Sequence, residues 1–179
     1  MAVRLSTSAI AALVALEKSV QSQVSPRFRW SPPESAHLTL AFLGEVAEAD
    51  THSLEVRLSE IEASGFSLHL TEVGAFPSLR HCRILWVGLG GDGQALRDLQ
   101  QMVVAACDGF GDAAREHRFA PHVTVARLPN GALPEDLTPL GRVSLPPSPW
   151  HVTKFELVRS VLGPSGSRYE TLRCFSLHA

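Results

Sequence analysis

The chain has little cysteine, no marked excess of either charge and no long hydrophobic run. Its 179 residues carry a formal net charge of −2, so it lacks the surplus of Lys and Arg needed to coat a long nucleic acid by displacing counterions. A small anion or a single RNA end is still a possible partner. Three cysteines, Cys82, Cys107 and Cys174, cannot all pair within one chain, and none has Cys-x-x-Cys spacing. Neither a disulfide framework nor a zinc site is indicated, and three reduced thiols in a cytoplasmic protein are expected. The longest apolar run near the start, residues 9–16, is too short to span a bilayer, and no basic segment or cleavage-like site frames it as a signal peptide, so no membrane partner is expected. With 45% hydrophobic residues the chain can bury the core of one compact domain or of two small packed lobes.

What is present is a mixed order of strand and helix signals. A short strand over residues 2–5 leads to Ser6, a natural N-cap, after which Ile10, Leu13, Leu16 and Val20 recur at helical spacing and predict a helix to about residue 23. Residues 36–43 read as a buried strand closed by Gly44, and residues 49–63 as a second helix on the stripe Leu54, Leu58, Ile61. Phe66, Leu68 and Leu70 alternate with polar residues as in a strand, and 84–89 forms another. A third helix is predicted from Asp92 to the glycines at 109 and 111, then a strand over 121–126. Residues 128–149, rich in Pro and Gly, read as a long surface loop bordering a site, and two strands, 152–162 and 168–176, flank a Gly163-Pro164-Ser165-Gly166 turn. This order predicts an α+β fold with antiparallel sheets and helices outside.

Two segments are near-copies: His37-Leu38-Thr39-Leu40 and His122-Val123-Thr124-Val125. In a strand, His37 and Thr39 share one face and Leu38 and Leu40 the other, so each copy offers a polar pair on an apolar backing. Brought side by side, two imidazoles and two hydroxyls suit acid and base catalysis at a phosphate without a metal. Random placement would yield about 0.4 His-x-Thr triplets, and the chain has four. The other two, His69-Leu70-Thr71 and His151-Val152-Thr153, continue with Glu72 and Lys154, which spoil the backing, so they and His52, His81, His117 and His178 are read as structural or surface residues. His37 and His122 stand 85 residues apart, His69 and His151 82 apart, as an internally duplicated fold would produce. Phe42 reads as core, and Arg29, Arg80 and Arg83 as possible guides for an RNA backbone or ordinary surface charges.

With Phe42-Leu43-Gly44, Gly74-Ala75-Phe76-Pro77, Leu85-Trp86-Val87-Gly88, Phe119-Ala120-Pro121 ahead of His122, Ala126-Arg127, Arg159-Ser160, Gly163-Pro164 and Tyr169-Glu170, the chain resembles the two-histidine phosphoesterases, and among them the RNA 2′,3′-cyclic phosphodiesterases, also called 2′-5′ RNA ligases. The resemblance implies one two-lobed domain over residues 1–179, pseudo-twofold symmetric, with two mainly antiparallel sheets, helices outside and a central cleft lined by both motifs. It also implies hydrolysis of 2′,3′-cyclic phosphate ends to 2′-phosphates. His122 would be the base for water and His37 the acid for the 3′ oxygen, with Thr39, Thr124 and Arg127 on the phosphate and no cofactor or metal. The expected partners are RNA ends or small cyclic nucleotides, bound by a monomer. Other readings keep the site with another cyclic or 2′-5′ linked nucleotide, or make the protein a noncatalytic RNA-end binding module. The family's opening strand is longer than residues 2–5 supply.

Overall fold

The computed structural model describes residues 1–111, 119–143, 145–146, 148–163 and 166–178. Strand β1 (Ala2–Arg4) hands over at Ser6 to α1 (Thr7–Val20); Ser6 has extended backbone and its hydroxyl accepts the Ala9 N–H at 3.2 Å, the cap expected of it. Ala9, Leu13, Leu16 and Val20 form the buried face of α1. Two short strands follow, β2 (Arg29–Trp30), which hydropathy does not reveal, and β3 (His37–Thr39). β3 is shorter than the stretch 36–43 because beyond Thr39 the Leu40 and Ala41 N–H groups turn to the Met1 carbonyl. Phe42, expected in the core, lies on this departing segment and is 67% exposed.

Helix α2 (Glu48–Ser59) buries Leu54 and Leu58; β4 (Phe66–Phe76) and β5 (Ile84–Gly91) form a long antiparallel pair; α3 (Gly93–Ala106) buries Leu96, Leu99 and Val103; and β6 (His122–Arg127) carries the second motif. The strand expected over 152–162 is two, β7 (Trp150–Val152) and β8 (Lys154–Gly163), because β7 pairs with β4 whereas β8 pairs with β1, so the chain changes neighbours at Thr153. β9 (Gly166–Ser176) pairs with β8; Pro164 and Ser165 of the expected turn, and His117, lie outside the described residues. The segment 128–149, expected to border the site, is fastened chiefly to the β4–β5 connection: Glu135 bridges Cys82, Leu137 N–H donates to Leu79, and Arg83 donates to the Ala132 carbonyl.

The two antiparallel sheets expected are joined into one nine-stranded sheet of order β7-β4-β5-β6-β3-β1-β8-β9, with β2 also on β6. The joint is the β3–β6 pair, in register at Leu38 opposite Val123. Outward from it, β3-β1-β8-β9 on one side repeats β6-β5-β4-β7 on the other, and β1-α1-β3 corresponds to β5-α3-β6. The registers match residue by residue: Val3 opposes Leu38 as Val87 opposes Val123, and Arg4 opposes His37 as Gly88 opposes His122. His69 on β4 and His151 on β7 belong to one half, so their spacing of 82 has no part in this relation. Val3, Leu38, Val87 and Val123 are all buried in the core cluster that includes α1 and α3, which leaves the opposite face of the same strands to the histidines.

Candidate active site

Alternation on β3 and β6 puts His37, Thr39, His122 and Thr124 on one face while Leu38 and Val123 are buried on the other. Extending the Leu38–Val123 register sets His37 across from Thr124 and Thr39 across from His122. The two histidines therefore occupy diagonal positions, which in an antiparallel pair lie about 7–8 Å apart. These are backbone separations, short enough for two side chains on one face to approach a single small anion. The five candidate residues thus come together at the pseudo-twofold joint, while His69 stands two strands away from β6 and His151 three.

Each imidazole is tied down in the same way. His37 Nδ1 lies 2.8 Å from the Ser35 carbonyl and His122 Nδ1 lies 2.7 Å from the Ala120 carbonyl, each two residues earlier in the chain. A carbonyl only accepts, so Nδ1 carries the hydrogen in both rings and Nε2 is left as the working nitrogen. Neutral, that nitrogen takes a proton; charged, it gives one. Aromatic edges brace the rings: Tyr169 meets His37 at 4.7 Å between centroids and Phe76 meets His122 at 4.9 Å, both T-shaped, with Trp86 6.0 Å from His122. Trp86 lies so close over Gly74 that a Cβ there would meet ring atoms at 2.2 to 2.6 Å. These packing partners come from β4, β5 and β9, and nothing local to the His-x-Thr motifs points to them.

Arg127 reaches the site through a bulge. Strict alternation from His122 would send it to the apolar face. Leu85 pairs with Ala126 but Trp86 with Thr124, so Val125 is an extra residue; Ala126 turns into the core and Arg127 returns to the site face. Its Nη2 donates to Thr124 Oγ1 at 3.3 Å. That bond occupies an acceptor site of the hydroxyl and leaves its hydrogen free for a phosphate oxygen. Thr39 is exposed and able to serve likewise from the other half.

A second cation flanks His37. Arg4, directly across from it on β1, donates Nε to Glu156 at 3.0 Å and Nη2 to Thr171 at 3.3 Å. Burial would raise the Glu156 carboxyl, yet hydrogen bonds from Thr171, Arg4 and Lys154 hold it below the ordinary carboxylate range, so it stays charged and fixes Arg4 in place. Burial is also what chiefly depresses the His37 pKa, with Arg4 and Arg127 adding to it and the Ser35 hydrogen bond opposing it. A negative charge beside the ring acts against the share of that depression that comes from the cations. Among the described residues no group of three or more His, Cys, Asp or Glu is arranged to hold a metal ion, and no helix is long and apolar enough to cross a membrane.

The chain is similar to known proteins over most of its length. Residues 7–164 match the family described as the 2′-5′ RNA ligase superfamily. The RNA 2′,3′-cyclic phosphodiesterase of Aeropyrum pernix is 34% identical over 143 residues, covering 78% of this chain and 80% of that protein. The protein of the same name from Archaeoglobus fulgidus is 35% identical over 145 residues, with 80% of each chain covered. The crystal structure of TT0787 of Thermus thermophilus superposes with a TM-score of 0.76 at 30% identity over 98% of this chain and 94% of its own. Escherichia coli LigT complexed with 3′-AMP gives 0.74 at 25% identity, over 99% and 96%.

Proposed function

Because the chain belongs to the 2′-5′ RNA ligase superfamily, we propose that it is an RNA 2′,3′-cyclic phosphodiesterase, working by metal-free acid and base catalysis from His37 and His122. The observation that carries the reading is the pair of Nδ1-anchored imidazoles placed diagonally across the β3–β6 joint. His122 Nε2 removes a proton from water as its oxygen attacks phosphorus; the bond from phosphorus to the 3′ oxygen breaks, and His37 Nε2–H gives that oxygen its proton. The product is a 2′-phosphomonoester with a free 3′-hydroxyl, and each histidine ends in the other's starting state. In-line displacement needs base and acid on opposite sides of phosphorus, and the diagonal placement of the two histidines supports that division of roles. Thr39, Thr124 and Arg127 hold the nonbridging oxygens, where charge builds.

The lowered pKa of His37 fits the acid, since a weaker base is a stronger proton donor once charged; the substrate's anion supplies the charging. A 5′-hydroxyl in place of water gives, with the same two proton transfers, a 2′-5′ linkage. The five residues come from one chain of two joined halves, which supports a monomer acting as one two-lobed domain. Cytoplasmic residence belongs to the same proposal, and the unpaired Cys82, Cys107 and Cys174 suit it. The test is hydrolysis of a nucleoside 2′,3′-cyclic phosphate followed by chromatography. The reading requires turnover by the unmodified protein and a loss of at least about 10²-fold in His37→Ala and in His122→Ala; binding without turnover would make the protein an RNA-end binding module instead.

A further inference from the structure

Of the three arginines that stand out as possible guides for an RNA backbone, the fold engages two elsewhere. Arg83 donates to the Ala132 and Pro129 carbonyls, and Arg80 lies near enough to the Asp136 carboxylate to help lower its pKa. Arg29 differs. It sits on β2 directly opposite Arg127 on β6, one pair along from Trp30 opposite Ala126. Trp30 packs against the core and Ala126 is buried, so the Arg29–Arg127 pair projects from the other face, the one on which Arg127 bonds Thr124. Two like charges directly across a strand pair repel, and among the described residues no carboxylate pairs with either. A guanidinium pair with no carboxylate partner, Arg127 within the site and Arg29 on the next strand outward, leaves Arg29 as a place for a second anion.

We propose that Arg29 binds the next phosphate of the substrate chain, the one on the 5′ oxygen of the nucleotide that carries the cyclic phosphate. This rests on the phosphodiesterase reading, which puts the reacting phosphate at Thr124 and Arg127. The neighbouring backbone phosphate then lies one nucleotide along, and Arg29 extends the cationic line outward from Arg127. The residue so placed gives the enzyme a preference for polynucleotide ends over free cyclic mononucleotides, although the chain as a whole carries a net charge of −2.

Calorimetric titration with two ligands tests this: a nucleoside 2′-monophosphate, and the same nucleoside 2′,5′-bisphosphate, whose 5′ group stands in for the backbone diester. The unmodified protein binds the bisphosphate about tenfold more tightly, the range of one charge-assisted hydrogen bond. In Arg29→Gln the affinity ratio falls to near one, and in Arg29→Lys, which keeps the charge, most of it is retained. A ratio near one in the unmodified protein, or the same ratio in Arg29→Gln, overturns the assignment and leaves Arg29 a solvated surface charge. Because the readout is binding, it holds its meaning whether or not the protein turns over cyclic phosphates: a ratio that depends on Arg29 in a protein without turnover counts against the catalytic reading and for the subsite.

Discussion

At the residue scale the two histidines are alike in anchoring and unlike in surroundings. Burial weighs most on the charge of the His37 ring, which also has a guanidinium opposite it, adding to that effect, where His122 has Gly88. Both act against the imidazolium, so in the free protein His37 is expected to titrate below the ordinary value of about 6.5 in an NMR titration. Arg4→Met removes a positive neighbour and is expected to raise the His37 pKa. Saturation with a 2′-phosphate raises it as well, by bringing in negative charge. A His37 pKa that does not respond to Arg4→Met would remove the role given to that cation. Gly74 carries the other residue-scale prediction. A methyl group there meets the Trp86 ring, so Gly74→Ala is expected to cost about 1–3 kcal/mol in denaturant unfolding and to lower the rate by displacing the ring that braces His122.

At the element scale the decisive contact is one strand pair. Leu38 and Val123 are both fully buried and hold β3 to β6, and with it the diagonal between the histidines. Val3 is equally buried on the neighbouring β1. Leu38→Ala is expected to cost about 2–5 kcal/mol and also to reduce kcat, as the joint relaxes into the space left. Val3→Ala is expected to cost stability with little change in kcat. Unfolding curves and turnover of the two variants, compared under conditions where both are folded, check this. Strand alternation makes His37, Thr39, His122 and Thr124 legible in the amino-acid sequence itself, because period-two patterning survives in short strands. Arg127's face is not legible there, since the extra residue Val125 is revealed only by the partner strand. Nor are Tyr169, Phe76, Trp86 and Arg4, which reach the histidines from other strands. β2 and the break at Thr153 escape hydropathy because pairing, not burial, defines them.

At the scale of the whole molecule, the fold is a strand–helix–strand unit used twice and joined so that its two copies of one motif meet. The 85-residue spacing of the histidines expresses that duplication in the sequence, whereas the 82-residue spacing of His69 and His151 is a coincidence within one half. A symmetric frame supplies two equivalent imidazoles, and the asymmetric additions, Arg4 on one side and Arg127 with Arg29 on the other, give the site a direction. The most direct measurement is phosphorus NMR of a nucleoside 2′,3′-cyclic phosphate incubated in excess EDTA with the unmodified protein, with His37→Ala and with His122→Ala. The two-histidine mechanism predicts conversion to the 2′-phosphate by the unmodified protein alone, at a rate unaffected by the chelator. Formation of the 3′-phosphate, abolition of turnover by EDTA, or full activity in either alanine variant would contradict it.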